Sequence, residues 1–288
     1  MTLFALAEEF TRNYMERRLR PATIRGYSVN LCNHVLPLLG GLDVERVTAD
    51  TLDGLTAALE RNLSNRSVVY VHATLRKMLN YAVRRGYIDH NPYSMLDLPR
   101  VERYRYRVFR PDEMRRALTL VKGTDIEIPV TLALHYGLRR GECLGVIPAL
   151  DLDPYENVLH VQRTRSVEHG ATVVTPCKTD KSNRYILLAE PHVKMLRDCM
   201  QSAERYACPL TPNALEWRYK AFLQENDLPP IRFHDLRHSY ATYMMSQDIN
   251  PKIVSTTLGH SGVAITLDIY SHPSVSMQKA CLQALASL

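Results

Sequence analysis

Apolar residues between positions 65 and 85 return every three or four residues, at Val68, Val71, Leu75, Leu79 and Ala82. That spacing gathers them on one face of a helix, and Gly86 directly afterwards suits its end. The same reasoning predicts a helix from Thr23 to about Leu36, stopped near Pro37 and the Gly40-Gly41 pair. Thr48 is a capping residue for another, running to about Arg61. Asn91-Pro92 and Leu98-Pro99 then interrupt the chain. Pro111-Asp112-Glu113 reads as a helix N-terminus, and residues 126–136 as a buried helix ended by Gly137, which brings Arg139 out at a helix-to-helix junction. The rhythm changes in residues 157–188. Short β-like runs at Val158–Gln162, Ala171–Thr175 and Arg184–Leu188 predict a three-stranded antiparallel sheet, with Lys178 in the turn between the last two. Helical spacing returns over 233–247. It resumes after the Asn250-Pro251 cap, with Ile253, Val254, Thr257 and Leu258 packed and Gly259 at the end. The pattern predicts a mainly α protein with a small antiparallel β-sheet. A helical domain (1–100) and a larger helical domain carrying the sheet (111–288) are joined by a basic linker (101–110).

Charge adds a direction to this layout. The net charge of +6 lies wholly in residues 1–110, with 17 Lys and Arg against 11 Asp and Glu; residues 111–288 hold 19 of each. A basic first third suits phosphates, with an affinity that is sequence-independent and falls with salt. In residues 98–110 five arginines alternate with Tyr104, Tyr106 and Phe109, the spacing of an extended segment suited to tracking a DNA backbone. Arg66, Arg76 and Lys77 on the long helix, and Arg103, Arg105 and Arg107 in the linker, are the candidate DNA contacts. An ordinary solvated surface is the alternative for each. No apolar run reaches the ~18 residues of a membrane span. The six cysteines contain no Cys-x-x-Cys pairing and read as reduced thiols of a cytoplasmic protein.

Four strings carry candidate chemistry: Gly137-Leu138-Arg139-Arg140-Gly141-Glu142, His234-Asp235-Leu236-Arg237-His238, Leu258-Gly259-His260, and Thr266-Leu267-Asp268-Ile269-Tyr270-Ser271-His272. Together they supply arginines, histidines and a tyrosine. A phosphodiester under attack gathers negative charge on its non-bridging oxygens. Arginine is always charged and presents a planar fork that fits two of them. Tyrosine is a competent covalent nucleophile, and histidine or lysine moves protons near neutral pH. On a helix over 233–247, His234, Arg237 and Ala241 share one face, while Leu236, Tyr240, Tyr243 and Met244 share another. This set of residues suits phosphodiester cleavage and rejoining without a metal or other cofactor.

In this order, the four strings resemble the signature of the tyrosine recombinases, the phage-integrase family. The resemblance runs from about residue 3 to about residue 285. It implies a core-binding (SAM-like) domain followed by a catalytic domain, closed around DNA. Position by position, Arg139 resembles the first catalytic arginine and Glu142 its acidic support. Lys178, in Pro176-Cys177-Lys178-Thr179-Asp180-Lys181-Ser182-Asn183-Arg184, resembles the hairpin lysine. His234 and Arg237 match the next pair, His260 the second histidine and Tyr270 the nucleophile. The implied reaction passes through a 3′-phosphotyrosine, for integration and excision of a mobile element, with resolution of chromosome or plasmid dimers as the alternative. Either Lys178 or His234 would serve as acid and the other as base. Two departures stand out. Val146-Ile147-Pro148-Ala149 replaces a more usual Leu-Arg-Trp-like string. One extra residue, near Ile265, separates His260 from Tyr270, a form associated with phage and conjugative-element integrases.

Three rival readings start from the same residues. His234 and His238, four apart with Asp235 between, superficially resemble a zinc motif. Arg237 beside the cation, the short Asp235 and the lack of a third ligand weigh against it. A DNA-binding relative without activity would be expected to have lost the tyrosine or an arginine, and this chain keeps both. A type IB topoisomerase shares the chemistry, but the Leu-Gly-His and Tyr-Ser-His strings favour a recombinase. After Pro273, a short helix with Cys281, Leu282, Leu285 and Leu288 near one stripe is expected. It would either fold back on its own domain or, as the resemblance implies, dock on a neighbouring copy in a dimer or tetramer on double-stranded DNA.

Overall fold

The computed structural model describes residues 1–102, 106–168, 170–177, 180–200, 206–260, 262–264 and 267. Lys178, Tyr270, Arg103, Arg105 and the expected C-terminal helix lie outside the described residues. The chain forms two compact units, Met1–Tyr104 and Arg105–Leu288.

The first unit is helical: α1 (Leu3–Phe10), α2 (Pro21–Asn30), α3 (Ala49–Glu60) and α4 (Asn65–Arg85). Thr48 caps α3, its hydroxyl accepting from the Thr51 N–H, and Ser64 does the same for α4 through Ser67. Gly86 ends α4 at φ 73°. Val68, Val71, Leu75, Leu79 and Ala82 are all buried, packed with Leu3, Leu6 and Phe10. The helical path passes Pro37 and stops at the Gly40-Gly41 pair, the later of the two predicted breakers. After α2 the chain widens into a π turn, Leu31–Val35, and continues helically through Leu36–Leu39 to Gly40. The wider i→i+5 turn accommodates a proline that has no N–H to give and whose ring crowds the preceding turn.

The second unit begins with α5 (Pro111–Leu120), α6 (Glu127–Tyr136) and α7 (Arg140–Gly145). Its strands are β1 (Leu152–Asp153), β2 (Val158–Val161), β3 (Arg163–Glu168), β4 (Ala171–Pro176) and β5 (Arg184–Leu187). Then come α8 (Glu190–Met200), α9 (Pro212–Glu225), α10 (Phe233–Ser246) and α11 (Pro251–Leu258). The single three-stranded sheet expected from the sequence is two sheets. β1, β2 and β5 form one, and β3 and β4 form a separate antiparallel ribbon. The Ala171 run therefore pairs with Arg163–Glu168, a segment whose polar character hid it as a strand, and not with the Arg184 run. Lys178 falls between β4 and β5, which are not partners. Phe109, assigned to the linker from the sequence, is 3% exposed and packs in this unit's core, and its N–H donates to Ser239 Oγ. Ile253, expected to pack, is 60% exposed, whereas Val254 and Leu258 are buried.

Gly137 fixes the junction that matters most. It ends α6 at φ 66°, and a Cβ there would lie 2.4 Å from Leu258 Cδ2 and 2.7 Å from Tyr240 Cδ1. Two helices, α10 and α11, thus close on the glycine itself. Gly137→Ala should destabilise the protein by on the order of 3 kcal/mol, left-handed strain plus overpacking. Gly86→Ala, with open space around its Cβ, should cost only the strain of about 1–2 kcal/mol. Equal losses on chemical denaturation would mean that Leu258 and Tyr240 yield freely.

Candidate active site

Four helix ends converge on one place. α6 finishes at Gly137 and α7 starts after Arg139. α10 carries His234 and Arg237 in its first turns, and α11 finishes at Gly259, leading to His260.

Glu142, in the first turn of α7, is 3% exposed. Its Oε2 accepts from the Arg139 backbone N–H at 2.9 Å, a reach-back that caps the helix. Its Oε1 takes Arg139 Nη1 at 2.7 Å. Arg139 Nη2 then donates to the Gly259 carbonyl at 3.1 Å. The second-arginine helix, α10, is not the amphipathic element that its sequence suggests. From Asp235 to Ala241 every residue is buried, Arg237 included at 2% exposure. Arg237 Nη1 donates to the Gly137 carbonyl at 2.7 Å, while the buried Nη2 has no partner among the described residues. Each arginine is thus held by the carbonyl of a glycine that ends a helix, where helix carbonyls otherwise lack partners and carry negative partial charge. Gly259, at φ 66°, also brings its backbone against Arg184: a Cβ there would meet the Lys181 carbonyl at 2.8 Å and Arg184 Nη1 at 3.1 Å.

The electrostatics follow from the burial. Desolvation, with Arg139 nearby, pushes Arg237 down to about 9, which still leaves it charged at neutral pH. Burial works against the charge on Glu142, but Arg184 and Arg139 outweigh it and hold the carboxyl below its usual range. His260 is pushed down to about 4 by burial and by Arg237 and Arg139. His234 is lowered for the same reasons, although the residue as a whole is exposed. The charges of both arginines therefore act on both histidines, and an anion between them would raise both pKa values.

Asp235 and His238 have other work. Asp235 accepts from the Arg232 backbone N–H at 3.0 Å, from Nε at 2.9 Å and from Nη2 at 2.7 Å, so its hydrogen bonds are spent on Arg232. The rings of His234 and His238 stand edge-on, 5.1 Å apart, and His238 packs 4.1 Å from the Tyr106 ring. Arg184 is a site residue that sequence reasoning misses. Its one sequence signal is its place at the end of the Lys-Thr-x-x-Ser-x-Arg string; it is 7% exposed and paired with Glu142.

Of the expected DNA contacts, Arg66, Arg76 and Arg107 are exposed and Lys77 is half-buried. At 100° per residue, Arg66, Lys77 and Arg84 share one stripe of α4. Lys77, Arg84 and Arg18 stand over the ring of Tyr14 at 5.6, 5.5 and 5.8 Å from its centroid. No helix among the described residues is long and apolar enough to cross a membrane.

Two family models account for nearly all of the chain. Residues 107–277 match the phage integrase family, and residues 2–101 match the phage integrase SAM-like domain. The chain belongs to the phage integrase family. The ICEBs1 integrase of Bacillus subtilis (strain 168) is 26% identical over 267 residues, 85% of this chain and 72% of that protein. Tyrosine recombinase XerC of Alcanivorax borkumensis is 26% identical, over 89% of this chain and 85% of its own. Among solved structures, the Tn1549 transposon integrase in complex with a circular intermediate DNA has a TM-score of 0.85 at 18% identity, covering 99% of both chains. A lambda integrase dimer bound to a core site has a TM-score of 0.71 at 16% identity, covering 93% of this chain and 95% of that one. At those identities the structural likeness speaks for the fold. The chain is a tyrosine site-specific recombinase, and its activity is site-specific recombination of the kind that integrates and excises mobile elements.

Burial of His238 should make the fold acid-sensitive. His238 is pushed down to about 4 from an ordinary 6.5, first by burial and then by His234. Its unfolded form takes up a proton first as the pH falls, so stability drops between 6.5 and about 4 and is retained above that window. His238→Gln should make this decline shallower, by up to ~1.4 kcal/mol per pH unit. An unaltered profile of unfolding free energy against pH would mean that the folded protein protonates His238 normally.

Proposed function

We propose that residues 139–270 form one phosphotransfer site acting on double-stranded DNA at attachment or inverted-repeat sequences. The observation that carries this reading is the buried Arg237. Its Nη2 lacks a partner among the described residues, and Arg139 lies close enough to add a second positive charge. A buried cation with a spare donor is costly; a phosphate oxygen supplies both the charge and the acceptor.

In the proposed reaction the phenol oxygen of Tyr270 attacks the scissile phosphorus. The new bond joins tyrosine to the 3′-phosphate, and the bond to the 5′-oxygen breaks. The tyrosine proton passes to one of His234 and Lys178, and the leaving 5′-oxygen takes a proton from the other. Arg139 and Arg237 bind the non-bridging oxygens as charge grows on them. Glu142 holds Arg139 in place. His260, neutral in the free protein, adds a donor to the phosphate. A partner strand's 5′-hydroxyl then reverses the step and releases Tyr270, so the bond energy is conserved without a cofactor. Residues 1–100 act as a core-binding domain and 111–288 as the catalytic domain, with a short basic linker between them whose far end, at Phe109, packs into the catalytic unit. Copies assemble on DNA as a dimer or tetramer through residues 275–288. The lambda integrase dimer on a core site and tetramer on a Holliday junction support assembly on DNA; the role of residues 275–288 rests on the apolar stripe in their sequence.

The decisive experiment uses a nicked duplex copied from the repeats flanking the gene. Tyr270→Phe should bind it but form no covalent adduct on a denaturing gel; an adduct that persists removes Tyr270 from the reaction. Arg237→Lys keeps the charge and loses the fork. It should slow cleavage by ~10²–10³ with little change in affinity, and near-normal cleavage would sink the clamp.

The cations gathered around Tyr14 support a second test. Arg18, Lys77 and Arg84 gather three cations on one ring, a concentration of charge suited to a phosphate backbone. Replacing each with alanine should lower the log–log salt slope of binding by about 0.9 for every phosphate that is no longer neutralised. A slope that stays the same would make these residues solvated surface.

A further inference from the structure

Arg184, at the start of β5, is almost completely buried and makes four hydrogen bonds. Its Nη1 and Nη2 donate to the two oxygens of Glu142 at 3.2 and 3.0 Å. Nη1 also reaches the Ser182 carbonyl at 3.1 Å, and Nε the Thr257 carbonyl at 2.5 Å. It therefore ties together three segments: the end of the Lys178-bearing connection, the carboxylate behind Arg139, and the end of α11 that leads to His260.

The charges make this more than packing. Glu142 faces two guanidiniums, Arg184 at 6% side-chain exposure and Arg139 at 35%. Arg184 engages both carboxylate oxygens side by side, the stronger geometry. Arg139 holds one oxygen with one side-chain nitrogen, and its other terminal nitrogen rests on the Gly259 carbonyl. Two positive charges against one negative leave a net positive charge for a substrate. With Arg184 absent, the carboxylate would have only Arg139 to satisfy it. The pair would close fork to fork, neutral overall, and draw Arg139 away from the phosphate.

We propose that Arg184 is a positioning residue that occupies Glu142, so that Arg139 keeps its charge and its remaining donors for the scissile phosphate. This rests on the assignment of Arg139 as a phosphate ligand. A corollary is that a good part of the damage from losing Arg184 comes from Glu142, and that removing the carboxylate's charge repairs it.

The test compares Arg184→Gln, Glu142→Gln and the double variant in the full chain. The rate of covalent adduct formation is read on the nicked flanking-repeat duplex at saturating protein, with affinity measured separately and folding checked by thermal melting. Arg184→Gln should cleave ~10-fold or more slowly at near-normal affinity, a fraction of the ~10²–10³ attached to a lost oxyanion donor. The double variant should then cleave faster than Arg184→Gln alone, the coupling that a double-mutant cycle detects. A merely structural role predicts the reverse, because removing a second member of a buried network harms it further. A double variant no faster than Arg184→Gln, or wild-type cleavage by Arg184→Gln, overturns the proposal. If Arg184→Gln does not fold, Arg184→Lys keeps the counter-charge and decides: it should retain most of the cleavage rate, and a loss as deep as that of Arg139→Ala overturns the proposal. Arg139→Ala separates the two levels. Normal cleavage by that variant removes the phosphate ligand itself, whereas an inactive Arg139→Ala beside an unaffected Arg184→Gln removes only the role of Arg184.

Discussion

Like charges in a dry site repel, and the second unit is built around keeping guanidiniums close together. Arg237 is 2% exposed and feels Arg139 and Arg184. Left to themselves, these side chains would swing apart towards water. Three anchors prevent it: the Gly137 carbonyl on Arg237, the Gly259 carbonyl on Arg139, and the Glu142 carboxylate between Arg139 and Arg184. A single carboxylate does not neutralise the group. The remaining positive charge is a standing attraction for an anion, most effective where water is excluded.

That requirement explains why helix ends, and not helix faces, carry the site. A helix C-terminus offers unpaired carbonyls with negative partial charge, and a left-handed glycine turns the chain sharply enough to present one. Gly137 and Gly259 both do this. Their bare backbones let α10 and β5 approach to distances that a Cβ would forbid. The same turns release the chain towards Arg139 and His260. Ordinary helix termination thus produces the position of the charged groups, with little left to flexible loops.

Much of the secondary structure was legible because the signals were local. Periodic apolar residues marked α4, capping threonine marked the start of α3, and glycine marked the ends of α4, α6 and α11. The misreadings come from polar groups satisfied by partners distant in the chain, and in one case from a local π turn. The β3 strand, Arg163–Glu168, is polar because Arg165 is satisfied by the Cys208 and Pro209 carbonyls, far away along the chain. Pro37 sits inside a helical path because a π turn makes room for it. The charged face expected on α10 is buried because distant carbonyls and Arg232 satisfy Arg237 and Asp235. Arg184 escaped notice because a basic residue after a lysine-rich turn normally reads as solvated surface.

The sequence by itself determined the chemistry. Residue types and their spacing in four strings pointed to arginine-assisted transfer of a phosphodiester to tyrosine, since few other functions call for that set in that order. It also determined the division into a smaller helical unit and a larger one, with the excess positive charge confined to residues 1–110. Tertiary structure alone decided which polar groups are buried, which carbonyl holds which arginine, and that Glu142 is shared between Arg139 and Arg184. Those outcomes depend on contacts between residues more than 40 positions apart in the chain. Local pattern carries no information at that range, because burial and pairing are properties of the packed whole.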